Sequence, residues 1–210
     1  SGCPAANAAV SFERLFWGAG HVLQRGWTIA MLAVWLILAR VATGRAAMSS
    51  RLSILVFSAM AAPALLGPWL ARSPAHDPVF TSLMKLGLAP GILVVLACIA
   101  HACWRDRRTL QRKNPAFIGL ATSAALTLLG GVLGALITRN TTLIPAHYHV
   151  NLGAVTVSFM ALLIHFWARL GGRLWRPRLT AWLPLLYGAV QTVFALGLTI
   201  AGFWGNAARK

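Results

Sequence analysis

Residues 115–138, PAFIGLATSAALTLLGGVLGALIT, contain no Asp, Glu, Lys or Arg. A helix needs roughly 20 mainly apolar residues to cross the hydrocarbon core of a bilayer. The stretch is long enough to do so, and its backbone must satisfy its own hydrogen bonds in lipid, which a helix achieves. It is also rich in Gly, Ala, Ser and Thr, which let neighbouring helices approach closely. The stretch therefore predicts a closely packed transmembrane helix.

Comparable apolar stretches recur on both sides of this one. We predict membrane-spanning helices near residues 15–39, 52–71, 79–103, 116–138, 145–168 and 180–204. Residues 1–14 are predicted to be an N-terminal segment, and residues 205–210 a basic C-terminal segment. The predicted fold class is all-α: a polytopic transmembrane bundle of about six membrane-spanning helices.

The composition supports a membrane protein and excludes several other classes. Of the 210 residues, 58% are hydrophobic and only 10% are charged, whereas soluble domains carry about 25% charged residues. The 19 Lys and Arg against 3 Asp and Glu give a net charge of +16. Because most of the basic residues lie between apolar stretches, they indicate membrane topology and not nucleic-acid binding. Three cysteines do not make a disulfide framework.

Basic residues concentrate in the connections after the first, third and fifth predicted helices. The positive-inside rule places this side in the cytoplasm and both termini on the non-cytoplasmic side. We expect an integral membrane protein of a bacterial inner membrane. Residues 1–14 lack the features of a signal peptide, and we expect the chain to be processed or part of a longer polypeptide. The basic residues of the three connections are Arg40, Arg45, Arg51, Arg105, Arg107, Arg108, Arg112, Lys113, Arg169, Arg173, Arg176 and Arg178.

Histidines near the outer helix ends are the candidate functional residues. His21 lies near the outer end of the first helix, and His147 and His149 near that of the fifth. Ionisable residues within a membrane are costly and indicate function by default. Residues two apart on a helix are separated by about 200°. His147 and His149 therefore cannot readily chelate one ion, but each can serve a different flat cofactor, and haem iron is commonly held by histidine. The alternative is that each histidine bonds a neighbouring helix.

These segments resemble the catalytic subunit of haem–copper oxygen reductases, the superfamily of cytochrome c oxidase and nitric oxide reductase. IPAHYHV at 144–150 resembles the tenth helix, where an Ala-His-Phe-His motif ligates two haems. WGAGH at 17–21 resembles the sixth helix, where a Trp-x-x-Gly-His segment supplies a copper ligand, and FTS at 80–82 resembles the eighth. Arg209 and Lys210 are similar to the basic pair after the eleventh helix. The order and spacing match helices six to eleven over nearly the whole chain.

The resemblance implies cofactor roles for these positions. His147 and His149 would each ligate a haem, of a type not specified, and Arg209 and Lys210 would hold haem propionates. Arg25 would pair with a propionate or extend to the membrane interface. His21 would ligate copper or non-haem iron, with His76 and Asp77 as the alternative partners for that metal.

The chain also departs from the family pattern at the metal site. Leu65 and Leu66 stand where the family has two adjacent copper-ligand histidines. Arg25 stands where the redox-active Tyr follows the copper-ligand histidine, and Val94 where the eighth helix has its proton-channel Lys. His76 and Asp77 are expected in the outer loop. The haem-binding part of the resemblance is thus intact in this chain, and the copper part is degenerate. The family takes the second axial ligand of its low-spin haem from its second helix, so this ligand is expected from a missing first half or a partner chain.

Three functions remain open from the sequence. The first is a haem-binding subunit of a respiratory terminal oxidase or reductase complex, an oxidoreductase passing electrons to oxygen or nitric oxide. The second is a non-catalytic haem-carrying or structural subunit of a respiratory complex. The third is an unrelated transporter or scaffold. For the first, the expected partners are the lipid bilayer, other respiratory subunits or a missing first half of the chain, and cytochrome c or quinol as the electron donor.

Overall fold

The structure, a computed structural model, describes residues 4–66, 76–138, 141–174 and 176–207. Within these ranges the side chains are described from residue 20 onward, except at 76–81, 83–85, 168 and 205–207. All regular secondary structure of the described residues is helical, which confirms the all-α prediction. The α-helices are α1 (Pro4–Thr43), α2 (Ser50–Ala61), α3 (His76–Arg105), α4 (Pro115–Ala135), α5 (Leu143–Trp167) and α6 (Pro177–Ala207). Two short 3₁₀ helices follow α2 and α5, at Ala62–Leu66 and Ala168–Leu170.

Five helical segments of the described residues are long and apolar enough to cross a membrane. The segment 50–66 is a shorter apolar helix. The chain is therefore an integral membrane protein by the length and composition of its helices, in agreement with about six predicted helices. The five long segments are Gly20–Thr43, Leu86–Arg105, Pro115–Ala135, Leu143–Trp167 and Pro177–Trp204.

Two helices differ from their predicted bounds. The first begins at Pro4 and not near residue 15, because the residues after Pro4 favour helix and proline suits a first helical turn. The second predicted span, 52–71, is an α-helix only to Ala61, followed by the 3₁₀ helix. Pro63 explains that end, since proline lacks the N–H that would continue the α-helical hydrogen bonds. Residues 67–71 of that span lie outside the described residues.

The helices group into two compact units. The first comprises residues 1–33 and 47–101. In it the buried Arg25 on α1 donates from Nη1 to the carbonyl oxygen of Met60 at the end of α2, over 2.7 Å. Gly87 on α3 makes room for this guanidinium, because a Cβ there would lie 3.0 Å from Nη1. A helix-end carbonyl that lacks a partner within its own helix is satisfied in this way.

The second unit comprises residues 34–46 and 102–210, with α4, α5 and α6 packed on one another. Trp35 Nε1 of α1 donates to Ser123 Oγ on α4 over 2.7 Å. Ser123 Oγ in turn donates to the Ala154 carbonyl on α5, also over 2.7 Å. Just before α5, Thr142 Oγ1 donates over 2.6 Å to the Leu198 carbonyl of α6. These bonds fix the register of α5, the helix that carries the two central histidines.

Candidate functional site

His147 lies half-buried on α5, with its ring against α4. Its Nδ1 is 2.7 Å from the carbonyl oxygen of Gly130. A backbone carbonyl can only accept a hydrogen bond, so Nδ1 must carry the proton. In the neutral ring, Nε2 then holds the lone pair. Metal-binding histidines generally donate their second ring N–H to a carbonyl or carboxylate in this manner.

Two glycines one turn apart on α4 make room for the His147 site. A Cβ at Gly134 would lie 2.8 Å from both Cε1 and Nδ1 of His147. A Cβ at Gly130 would lie 2.6 Å from the amide atoms of Asn151. Gly131, between them, has nothing within 4 Å of its would-be Cβ. Small residues four apart thus bring α4 and α5 close at the functional side chain.

Asn151 lies one turn after His147 and holds the same ring. Its Nδ2 donates to the His147 carbonyl over 2.8 Å. The same Nδ2 lies 3.2 Å from Nδ1 and 3.5 Å from Nε2 of the imidazole. Nearly equal distances to both nitrogens place the amide against the face of the ring. The ring of His147 is therefore constrained by Gly130 at its edge and by Asn151 on its face.

His149 points to the other side of α5. Its exposed ring meets Phe194 of α6 edge to face, with centroids 4.7 Å apart and planes at 77°. His147 contacts α4, so the two rings diverge as a rotation of about 200° requires. The geometry agrees with the sequence argument that the pair does not share one ion. Between them, Tyr148 is exposed and its ring contacts that of His147 at 5.6 Å.

None of the three acidic residues of the sequence belongs to α4, α5 or α6. They are Glu13, Asp77 and Asp106. Asp106, after α3, forms ion pairs with Arg105 at 2.6 Å and with Arg45 at 3.9 Å. The helices that carry and surround His147 and His149 accordingly hold imidazole, amide and hydroxyl groups and no carboxylate.

His21 and Arg25 belong to the first unit, whereas His147 and His149 belong to the second. His21 lies one turn before Arg25 on α1, and both side chains are buried. Arg25 is committed to the Met60 carbonyl through Nη1.

Three residue pairs that the resemblance relates to the copper site or to the haem propionates are placed differently by the structure. Leu65 and Leu66, at the place of the family's copper ligands, are exposed apolar side chains of the 3₁₀ helix. The prediction that His76 and Asp77 lie in a loop is wrong, because they are the first two residues of α3. Their side chains lie outside the described residues. The helix can begin at His76 because Pro78 lies in its first turn, where the missing N–H of proline removes no intrahelical hydrogen bond. Arg209 and Lys210 lie outside the described residues.

The described part of the chain contains no group of three or more His, Cys, Asp or Glu side chains placed to hold a metal ion. Sequence reasoning missed Gly130, Gly134 and Asn151. The four-residue glycine spacing and the amide one turn after His147 were visible signals, but only the structure shows that they meet one imidazole.

Neither a scan against protein-family models nor searches of curated proteins and of solved structures finds a match to this chain.

Proposed function

We propose that the chain is a haem-binding integral membrane subunit of a respiratory terminal oxidase or reductase complex. It passes electrons to oxygen or nitric oxide at a haem-centred site, as the resemblance to haem–copper reductases implies. The observation that carries the proposal is the hydrogen bond of 2.7 Å between His147 Nδ1 and the Gly130 carbonyl. This bond gives His147 the protonation state of a haem ligand, with Nε2 available for iron.

The residues around His147 and His149 fit haem. His147 is an imidazole whose ring orientation is held by Gly130 and Asn151. His149 presents a second imidazole on the opposite side of α5, with an exposed ring. A bound haem would supply the one-electron chemistry. Two ligands on one rigid helix would hold two haems in a fixed relation for electron transfer.

The remaining charged residues have supporting roles in the proposal. Arg209 and Lys210 would hold haem propionates. His21 would ligate copper or non-haem iron if that site survives. The missing second axial ligand of a six-coordinate haem would come from a first half of the chain or from another subunit. Cytochrome c or quinol would donate electrons, on the non-cytoplasmic side of a bacterial inner membrane, where both termini would lie.

A non-catalytic haem carrier is the second candidate, and one observation favours it. Leu65 and Leu66 are apolar where the family has two copper ligands, and neither offers a donor atom. A chain that kept the haem helix and lost these ligands would carry electrons, or stabilise a complex, without reducing oxygen. Copper content separates this candidate from the enzyme.

Haem content of single-histidine variants tests the proposed function. His147→Ala removes the ligand and should abolish one haem signal in the reduced-minus-oxidised spectrum of the purified complex. His165→Ala, on the inner end of the same helix α5, and His101→Ala, on α3, should leave that signal unchanged. Equal spectra for all three variants would overturn the site assignment.

A further inference from the structure

Gln191 on α6 carries a buried acceptor without a partner. Among the residues that the structure describes, its Oε1 is the single buried side-chain nitrogen or oxygen atom with no hydrogen bond. A buried polar atom left unpaired lowers the stability of the folded protein. In a membrane-spanning helix such a group indicates a function that the protein retains at the expense of stability.

The position of Gln191 relates it to His149. The Gln191 side chain packs onto Gly153, where a Cβ would lie 3.0 Å from Cγ of Gln191. Gly153 is four residues after His149 on α5. Phe194, three residues after Gln191 on α6, contacts the His149 ring. Residues three or four apart share a helix face, so Gln191 and His149 face the same α5–α6 contact, one turn apart.

Within the described part of the chain, the His149 ring has an N–H that lacks an acceptor, and Gln191 Oε1 is an acceptor that lacks a donor. Its described contact is the edge of Phe194, and neither of its ring nitrogens has a hydrogen-bond partner among the described residues. A metal-binding histidine almost always donates its second N–H to an acceptor. His147 has such an acceptor in the Gly130 carbonyl, and a glycine, Gly134, gives its ring room. On the other side of α5, Gln191 Oε1 is an acceptor without a donor among these residues, and the absence of a side chain at Gly153 makes room for Gln191.

We propose that Gln191 is the positioning residue for His149: its amide oxygen accepts the ring N–H and leaves the other ring nitrogen for haem iron. The inference rests on the proposed function and extends it to a residue of α6. In this proposal, rotation of the Gln191 side chain or one bridging water spans the offset of one helical turn, about 5.4 Å along the helices, between the two residues. An acceptor at this N–H raises the basicity of the ligand, which stabilises oxidised iron.

Opposite shifts of a haem midpoint potential test the inference. Gln191→Leu removes the acceptor at similar size, and should raise the potential of the haem signal that His149→Ala abolishes. We expect about a tenfold change in its redox equilibrium, which is about 59 mV for one electron. Gln191→Glu supplies a stronger acceptor and should lower the same potential. Thr192→Val is the matched control, because its hydroxyl is already bonded to the Gly188 carbonyl at 2.9 Å; it should shift nothing.

A second measurement covers the protein without haem. There Gln191→Leu should be neutral or stabilising in thermal unfolding, because it removes an unpaired buried oxygen. Loss of stability in haem-free Gln191→Leu would overturn the inference, as would an unchanged potential in Gln191→Glu. If the wild-type protein binds haem through His149 but substitutions of Gln191 leave the midpoint potential of that haem unchanged, the inference fails and the proposed function stands. A wild-type complex without haem overturns both.

Discussion

At the scale of single residues, the proton on His147 Nδ1 is the feature on which the proposed chemistry depends. The Gly130 carbonyl oxygen lies 2.7 Å from Nδ1 and accepts its N–H, and Asn151 packs its amide on the ring face. The sequence predicted that His147 and His149 diverge, because helical geometry determines it. Their role as ligands stays a prediction from the resemblance. The sequence could not predict the partner of Nδ1, because a backbone carbonyl on another helix leaves no mark in the pattern of side chains.

Gly134 is the residue whose substitution tests this arrangement most cleanly. Gly134→Ala places a Cβ 2.8 Å from the His147 ring, so the imidazole must move. We expect the affinity for haem to fall about 10- to 100-fold, the usual effect of disturbing a residue that supports a metal ligand. Titration of the haem-depleted protein with haem measures it.

Gly131 is the control for that substitution. Its would-be Cβ meets nothing within 4 Å. Gly131→Ala should retain wild-type haem affinity and gain up to about 1 kcal/mol of helix stability from the better propensity of alanine. Equal losses of haem in both variants would show a general effect on α4, and not a contact with His147.

At the scale of elements, the registers of α4 and α5 are linked by a chain of buried hydrogen bonds. Trp35 Nε1 donates to Ser123 Oγ, which donates to the Ala154 carbonyl. Ala154 is one turn beyond Val150 on the buried side of α5. The α4 stretch was predicted to pack closely from its small residues, and the structure shows a polar bond through one of them.

Ser123→Ala should therefore weaken the second unit. The change leaves the buried Trp35 N–H without an acceptor, and we expect a loss of about 1 kcal/mol in free energy of unfolding. Ser53→Ala is the control, since the Ser53 hydroxyl bonds the Ser49 carbonyl at an exposed site on α2. Unfolding in mixed micelles with increasing denaturant compares the two variants. A loss no larger in Ser123→Ala than in Ser53→Ala would contradict a supporting role.

The helix boundaries show where sequence reasoning about elements succeeds. The last four helices begin and end within three residues of their predicted bounds, because Asn114 caps α4 and charged loops separate the apolar stretches. The second predicted span was judged by apolar length alone. Pro63, which ends the α-helix at Ala61, was a signal in the sequence that hydropathy does not register.

At the scale of the whole molecule, apolar helices alternate with basic connections. The exposed faces of the long helices carry large apolar side chains such as Leu86, Val193 and Trp204. Such faces are suited to contact with lipid. Composition was enough to predict this environment, because the bilayer constrains helix length and charge directly. Composition was not enough to predict the cofactor, because a haem site needs only a few side chains, and their pattern indicates a family only by resemblance.

Carbon monoxide binding tests the central claim most directly. We would record the reduced-plus-carbon-monoxide minus reduced optical spectrum of the purified complex that contains this chain. The account predicts haem bands that shift with carbon monoxide, from a haem with His147 on one side and an open position on the other. Haem bands without a shift would favour the non-catalytic carrier. A complex without haem bands would contradict the account and leave only the membrane fold.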